Sequence, residues 1–268
     1  MTTAARVLRA IPGLLRLGFA ESVAYRAEFV IWFLSTTLPL VMLALWLAAA
    51  ENSTVGPFDE AGFVAYYVAV LVVRQLSGSW VVWTLNEEIR HGTLSVRLLR
   101  PLHPLWLYAA ENLAALPLRL CVLVPLVAAA AWWRGGLAIS TAPEHVLVFL
   151  LTSFGAWLLA FTIQVLIGLL ALWSDQSLSL WDVFFGLWAI CSGYLIPLEL
   201  TPAWMHTASY VLPFRSMLSL PVEIILGHLS PSEIAQGVAV QWLWIILLGT
   251  VTLRLWRSGI RRYEAYGA

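Results

Sequence analysis

Long apolar runs separated by short polar segments make up almost the whole chain. A helix that crosses a hydrocarbon core of about 30 Å needs about 20 consecutive, mostly apolar residues. The runs are continuously apolar, whereas a membrane β-barrel needs alternating positions. The pattern therefore predicts an all-α polytopic membrane protein with six transmembrane helices. The predicted spans lie roughly at 29–50, 63–85, 106–133, 146–173, 180–198 and 238–256.

Arginines are distributed unevenly among the segments between these spans. Because cytoplasmic loops carry an excess of basic residues, the bias predicts orientation. With the N-terminus inside, eleven arginines fall in cytoplasmic segments, two fall outside and two lie within spans. Both termini are therefore expected in the cytoplasm. The inside group is Arg6, Arg9, Arg16, Arg26, Arg90, Arg97, Arg100, Arg254, Arg257, Arg261 and Arg262.

The N-terminal segment at 1–28 has the pattern of an amphipathic helix. At about 100° per residue, Arg6, Arg9 and Arg16 fall on one face while Leu8 and Leu15 fall opposite. Such a helix is expected to lie in the headgroup plane, with its arginines toward anionic lipid. Its role is either to anchor the first span or to act as a lever between the membrane part and a cytoplasmic component.

The segment at 199–237 is cut into short pieces by proline. Each apolar piece is too short to cross a bilayer, and proline breaks the helix between pieces. We expect extracellular or re-entrant half-helices that dip into the outer leaflet or cap a cavity, because non-helical backbone at that depth needs protein or water around it. A plain amphipathic loop is the alternative. The prolines concerned are Pro197, Pro202, Pro213, Pro221 and Pro231.

This outer segment also supplies a candidate gate. Glu199 and Glu223 flank or enter the half-helices, either as gating groups or as part of a wetted rim. The candidate extracellular gate consists of Pro197, Glu199, Pro202, Pro213 and Glu223.

One compact charged segment, NEEIRHGTLSVRLLRPLHP at 86–104, joins the second and third spans. Its middle predicts a short amphipathic helix that Thr93 caps and Pro101 ends. Leu94, Leu98 and Leu99 form the apolar stripe of this helix. So short a helix gains little by itself, which favours packing against a partner. The alternative is that the segment is only a solvated cytoplasmic loop with the usual excess of basic residues.

Arg74 lies near the middle of the second span, where a charge must face protein or water. On a continuous helix Gln75, Ser79 and Asn86 fall within about 40° of one another, which predicts one polar face toward the cytoplasmic end. We hypothesise that this face lines a substrate path or a permease interface, with Arg74 as its charge anchor. The alternative is structural, an ion pair or hydrogen bonds to the carbonyls of a broken helix. Arg119 is expected to snorkel or to pair with Glu111.

The composition narrows the class of function. Hydrophobic residues make up 61% of the 268 positions and charged residues only 11%, against about 25% charged in soluble domains. Formal net charge is zero, which argues against a nucleic-acid partner. The chain contains no lysine, so it offers neither a P-loop lysine nor a Schiff-base amine.

Other classes of membrane protein fit the sequence less well. An intramembrane enzyme needs a Ser–His dyad or paired carboxyls within spans, but all five histidines fall in loops or near span ends. No clustered metal ligands are present in the sequence. An ATP-independent secondary transporter would favour inverted repeats and a mid-membrane acid beside Arg74, and neither is visible. A purely structural scaffold is the third alternative.

Two motifs carry a resemblance to a known family. The segment at 86–104 resembles the Glu-…-Gly-Thr-Leu coupling segment of type-two ATP-binding-cassette (ABC) exporter permeases. The stretch at 192–227 resembles the Gly-…-Pro-…-Pro-Phe region after their fifth span. Six spans and an amphipathic N-terminal helix agree with this layout. YRAEF at 25–29 and LLRPLHP are similar to a poorly characterised bacterial branch with paired permeases.

The resemblance implies a permease subunit in the bacterial cytoplasmic (inner) membrane, with two copies of an ABC ATPase and a second permease in a homodimer or heterodimer. ATP and Mg would be bound by the ATPase and no cofactor by this chain, and export is the expected direction. The resemblance does not name a cargo; a cavity lined by Arg74 and many aromatic residues would suit an amphiphilic or anionic lipid-like molecule or a natural product. The residues expected to couple to the ATPase are Glu87, Glu88, His91, Gly92, Thr93, Leu94, Arg97 and Leu98.

Overall fold

The computed structural model describes residues 10, 12–16, 18–20, 23, 38–51 and 54–266. The described positions before residue 24 are helical. Most of the interfacial helix predicted at 1–28, and the first part of the span predicted at 29–50, lie outside the described residues.

Regular structure in the described chain is helical, apart from an isolated bridge between Val55 and Phe58. Two 3-10 turns at Leu170–Leu172 and Leu198–Leu200 accompany the α-helices. The helices are α1 (Leu38–Ala50), α2 (Glu60–Ser77), α3 (Val81–Arg90), α4 (Leu94–Leu98), α5 (Pro104–Ala114), α6 (Leu116–Arg134), α7 (Pro143–Leu169), α8 (Ser177–Cys191), α9 (Ala203–Ser209), α10 (Pro213–Ser216), α11 (Ser219–Leu226) and α12 (Pro231–Tyr266).

Four helical runs of the described chain are long and apolar enough to cross a membrane. Two of the runs are interrupted, between α2 and α3 and between α5 and α6, where Pro117 follows the break. The helices α1 and α8 are apolar but shorter; α1 falls within the predicted first span, and α8 overlaps the predicted fifth span but starts three residues before it and ends at Cys191. The four runs are Glu60–Arg90, Pro104–Trp133, Pro143–Leu172 and Pro231–Tyr263.

The long helix α7 lies at the centre of the packing and contacts α2, α3, α8, α11 and α12. Polar side chains join it to its neighbours, as is common between membrane helices. Gln241 of α12 donates from Nε2 to the carbonyl oxygens of Thr152 in α7, at 2.9 Å, and Ser216 in α10, at 2.8 Å. Gly155 makes this approach possible, since a Cβ there would lie only 2.4 Å from Oε1 of Gln241.

Contacts between loops define two opposite ends of the bundle. At one, which we call the coupling end, Tyr263 near the end of α12 donates to the carbonyl of Gly92 at 2.5 Å, and the guanidinium of Arg90 reaches the carbonyl of Asp175. At the other, the outer end, the amide of Ser140 donates to the carbonyl of Ile225 at 2.7 Å. The coupling end comprises 86–104, 170–177 and 256–263; the outer end comprises 54–60, 135–143 and 192–230.

The proline-rich segment at the outer end forms three short helices, α9 to α11, and the 3-10 turn before them. The last helix begins at Pro231, so the segment ends earlier than the predicted limit at 237. The helix α11 is buried and packs against α2 and α7. It is therefore a part of the bundle core and differs from the surface loop that was the alternative.

Candidate functional site

The second predicted span is broken about one turn beyond its middle. The helix α2 ends at Ser77, α3 begins at Val81, and Gly78 has an extended conformation with φ −59° and ψ 132°. The predicted polar face along one continuous helix is therefore wrong, because the helix changes course between its members. A break at this depth frees backbone N–H and C=O groups, which protein side chains must satisfy in the absence of water.

Arg119 of α6 satisfies two of these carbonyl groups. Its Nη1 donates to the carbonyl oxygens of Gln75 and Gly78, at 2.9 Å each. Only a glycine leaves room for this contact, because a Cβ on residue 78 would lie 2.8 Å from Nη1. The expectation that Arg119 snorkels or pairs with Glu111 is wrong, since its guanidinium is buried and held by backbone.

Two amides complete the support of the break. Gln164 of α7 donates from Nε2 to the carbonyl of Ser79 at 3.0 Å and accepts from the amide of Val82 at 3.4 Å. Asn112 of α5 accepts from the amide of Trp80 at 3.2 Å. The break is thus a built feature, supported from three neighbouring helices.

Arg74 lies one turn before the break and is half-buried. Its guanidinium carbon is 5.1 Å from the ring centroid of Trp188 and 5.9 Å from that of Phe185. Among the described residues it forms no ion pair with a carboxylate. A cation–π contact contributes about 0.5–2 kcal/mol, while a central arginine costs about 2.5–3.5 kcal/mol. The rings therefore offset part of the cost and supply no counter-charge.

A small cavity of about 20 Å³, partly open to the surroundings, lies beside this guanidinium. Ser77 and Gln164 provide polar lining, and aromatic rings of α8 provide most of the rest. The cavity thus joins Arg74 to Gln164, the same side chain that supports the break. The aromatic lining residues are Trp181, Phe184, Phe185 and Trp188.

The other predicted members of the substrate path have separate surroundings. Gln75 is buried in α2, and Ser79 lies in the break itself. Asn86 is buried and donates from Nδ2 to the hydroxyl of Ser177 at the start of α8. A role for these residues in transport stays a prediction, and they no longer form one surface.

The segment at 86–104 forms a tight turn and a five-residue helix, α4. Gly92 has a positive φ of 74°, a conformation that favours glycine. Thr93 is at the N-cap position but makes no side-chain capping bond. Instead the hydroxyl of Ser95 donates to the carbonyl of Gly92 at 2.7 Å, and the amide of Ser95 donates to the hydroxyl of Tyr263 at 3.3 Å.

Arg97 fastens α4 to the helices on both sides of it. Its Nε donates to the carboxylate of Glu88 in α3, at 2.7 and 2.9 Å, and its Nη1 donates to Glu111 of α5 at 2.6 Å. The hydroxyl of Tyr108 also donates to Glu88, and Arg97 stacks over the Tyr108 ring at 4.3 Å. Burial by itself lowers the pKa of Arg97. The carboxylates of Glu111 and Glu88 raise it by more than burial lowers it, so the pKa lies above its usual value. We call this group the Arg97 clamp.

The structure separates the predicted coupling residues into an internal and an exposed set. Glu88 and Arg97 belong to the clamp, Leu94 is fully buried and Leu98 is half-buried. The predicted stripe therefore packs partly inward. Exposed apolar surface on α4 comes from Val96, at 58% exposure, and from Leu99 beside it, at 87%. The predicted residues that remain exposed are Glu87, His91, Gly92 and Thr93.

A buried ion pair occupies the outer end. Arg215 of α10 donates from Nε to Oε1 of Glu223 at 3.2 Å and from Nη2 to Oε2. Both are buried, so the wetted-rim interpretation of Glu223 is wrong. Burial raises the pKa of Glu223 to about 7, and Arg215 opposes that shift.

The remaining candidate gate residues surround this pair without forming one surface. Glu199 is half-buried, with its Oε1 at 3.8 Å from Nδ1 of His228. Pro197 is buried, Pro202 is exposed and Pro213 begins α10. Their role as a gate stays a prediction.

Comparison with known families settles the class. A family model described as an ABC-2 family transporter protein matches residues 29–267. The chain belongs to the ABC-2 transporter family. It is an ABC-2 type permease and a multi-pass membrane protein, and the catalytic ATPase of such a system usually resides in a separate ABC partner. No curated protein matches the chain.

Three polar residues of this ABC-2 permease had no assigned role in the sequence. Asn112 and Gln164 look isolated in the sequence because their partners lie 32 and 85 positions away, whereas Arg215 pairs with Glu223 only eight positions away. A signal was available for two of them, because a buried amide inside an apolar run needs a hydrogen-bond partner. The glycine at 78 followed by Ser79 was a second sign that backbone groups needed such partners there.

Proposed function

We propose that the protein is the permease subunit of a bacterial ABC transporter that exports an amphiphilic or lipid-like substrate across the inner membrane. ATP and Mg bind to two copies of a separate ATPase, and a second permease completes the pathway. Family membership supports the permease role. The juxtaposition of the Arg74 charge with aromatic rings of α8 supports an amphiphilic cargo.

The proposal depends on two features of α4: the helix is fastened to its neighbours on one side, and it exposes apolar side chains on the other. The Arg97 clamp holds this helix to α3 and α5, so a force applied to it moves both neighbours. Val96 and Leu99 meanwhile present apolar surface at the coupling end. Exposed apolar side chains rimmed by polar residues are typical of a docking surface. We infer that the ATPase binds there.

A path for the force leads from α4 to the cavity. The clamp joins α4 to α3, and the break at 78–80 connects α3 to α2. Gln164 contacts this break and lines the Arg74 cavity. Closure of the ATPase would therefore tilt α3 about the break and change the shape of the cavity.

We propose six spans with both termini in the cytoplasm. The four long helical runs supply four of them, and α1 and α8 belong to the other two. Tyr263 contacts Gly92, so the end of α12 and the docking segment lie on the same side. An even number of spans brings the N-terminus to that side also. The arginine bias favours the cytoplasm for it.

The face of α8 that points away from the bundle fits a second permease. Its exposed residues recur at helical spacing and form one apolar surface. The Arg74 cavity opens beside this helix, so a partner there would complete the walls of a pathway. The exposed residues are Leu180, Val183, Leu187 and Ile190.

The docking role is tested by replacing Val96 and Leu99 together with Asp. We expect at least a tenfold loss of captured ABC ATPase and of its ATP hydrolysis, because two charges replace the apolar contact. The chain is purified from its native membrane, the ATPase is identified by its P-loop peptide, and ATP turnover is measured. Val211→Asp is the matched control, since Val211 is 69% exposed at the outer end.

Undiminished capture by the double variant would contradict docking at α4. Transport by the purified permease in liposomes without any ATPase would contradict the ABC permease function as a whole.

A further inference from the structure

The part of α12 that reaches the coupling end carries exposed arginines on one face. Arg254, Arg257 and Arg261 are all exposed, and at about 100° per residue they fall within about 60° of one another. None of the three forms an ion pair with a described residue. The chain from 234 to 268 holds four arginines and one acid, Glu264, so this part of the helix is basic. We call Arg254, Arg257 and Arg261 the arginine stripe.

The other side of α12 packs against the bundle. Trp256 is buried, and a Cβ on Gly259 would lie 2.4 Å from Cδ1 of Leu172. Tyr263, on the same side of the helix, donates to the carbonyl of Gly92. The arginine stripe therefore points away from the bundle and away from the turn that leads into α4.

The face that carries the arginine stripe becomes apolar toward the outer end. Leu243 and Ile246 are each 64% exposed, and Leu247 is 49% exposed. At 1.5 Å per residue, Arg254 lies about 16.5 Å along the helix axis from Leu243. Half of a hydrocarbon core of about 30 Å is about 15 Å. The apolar part therefore matches the acyl chains of one leaflet, and the arginine stripe lies at the level of its head groups.

Two kinds of partner are compatible with arginines at this end, a lipid leaflet and the ATPase. The ATPase docking surface proposed above is on α4, and the arginine stripe points away from the turn before that helix. The stripe instead continues a helix face whose apolar residues have no packing partner in the described bundle. The leaflet therefore fits this surface better than the ATPase does.

We propose that the arginine stripe binds the phosphate head groups of anionic phospholipids, whose acyl chains lie along the apolar face of α12. Guanidinium groups match phosphate in a bidentate manner. A zwitterionic lipid carries a cation beside its phosphate, so the arginines gain less from it. Each basic residue at an anionic membrane surface strengthens the contact by about fivefold. This inference goes beyond the proposed function, because it concerns neither the cargo nor the ATPase.

Lipid binding is measured on the purified full-length chain in detergent micelles by native mass spectrometry. Dioleoyl phosphatidylglycerol and dioleoyl phosphatidylcholine are titrated separately, so that only the head group differs. We expect the wild-type chain to bind phosphatidylglycerol at least tenfold more tightly. Replacing all three arginines of the stripe with Gln should reduce this preference at least fivefold. Replacing all three with Lys should retain most of it, because the charge persists.

A matched pair of single variants separates the stripe from the net charge of the chain. Arg257→Gln removes one charge from the stripe, and Arg100→Gln removes one from an exposed arginine at the same end but outside it. We expect a loss of about fivefold in the preference for the first and no change for the second. These single variants and the Lys variant keep the test decisive if the triple Gln variant folds poorly.

An unchanged preference in the triple Gln variant would overturn the proposal, as would an equal loss in Arg100→Gln. sn-Glycerol 1-phosphate that displaces phosphatidylglycerol as effectively as the lipid itself would also overturn it, because the acyl chains would then contribute nothing. ATPase capture is scored in parallel. Loss of capture in the triple Gln variant with an unchanged lipid preference would assign the stripe to the ATPase. Failure of capture by the wild-type chain would defeat the proposed function and leave the lipid result standing.

Discussion

The two ends of the bundle use the same ion-pair chemistry at different degrees of burial. At the coupling end, the side chains of Arg97, Glu88 and Glu111 are 15%, 16% and 27% exposed. At the outer end, those of Arg215 and Glu223 are 5% and 7% exposed. Removing one partner of a buried pair leaves an unpaired charge and costs about 3–5 kcal/mol, whereas fully exposed pairs contribute about 0–1 kcal/mol. The loss of Arg215 is therefore expected to reduce stability more than the loss of Arg97.

This difference indicates how one chain combines a rigid outer end with a movable helix at the coupling end. The outer pair joins α10 to α11, two short helices that would otherwise have few bonds to each other. The Arg97 clamp joins α4 to longer helices while water still reaches its carboxylates. We infer that the outer pair secures the fold and the clamp transmits force.

The largest expected effect is at the outer pair. Arg215→Met leaves Glu223 buried and unpaired, which should lower the free energy of unfolding by about 3–5 kcal/mol. Arg215→Met combined with Glu223→Leu should restore most of this loss, because no buried charge remains. The free energies of unfolding of both variants are measured by denaturant titration in detergent. A double variant no more stable than the single one would show that the pair contributes by more than charge compensation.

A smaller effect on stability, with a larger effect on coupling, is expected at the clamp. Arg97→Gln removes the bonds to Glu88 and Glu111 and should cost about 1–3 kcal/mol. ATPase capture should persist while substrate-stimulated ATP hydrolysis falls, because α4 is no longer fastened to α3 and α5. Arg100→Gln, at an exposed neighbouring arginine, is the control. Normal stimulation in the Arg97 variant would contradict the force-transmitting role.

The smallest effect is expected at Tyr263. Tyr263→Phe removes one hydrogen bond to Gly92 and should change stability by at most about 0.5–1.5 kcal/mol. Hydrogen exchange of the 92–96 amides should nevertheless increase, since the turn loses its link to α12. Tyr210→Phe at the outer end is the control. Unchanged exchange would show that Gly92 holds the turn without Tyr263.

The apolar lengths in the sequence were sufficient to locate most helices, because a span needs a certain length whatever surrounds it. The position of Thr93 at the start of α4 also followed from local preferences. The break at 78–80 was not predicted, although Ser77, Gly78 and Ser79 mark it, because such small residues also occur within continuous membrane helices where these pack together. Its support by Arg119 comes from 41 positions along the chain, beyond any local pattern.

The sequence by itself determined the all-helical membrane character, the position of the charged segment at 86–104 and the absence of a nucleotide-binding lysine, because these depend on composition and on residues that are neighbours in the chain. Only the tertiary structure decided which groups each arginine contacts. Arg97 contacts two carboxylates, Arg119 contacts two carbonyls, and Arg74 contacts aromatic rings. The reason is physical: in a nonpolar interior each polar group must find a partner, and packing alone determines which partners are within reach.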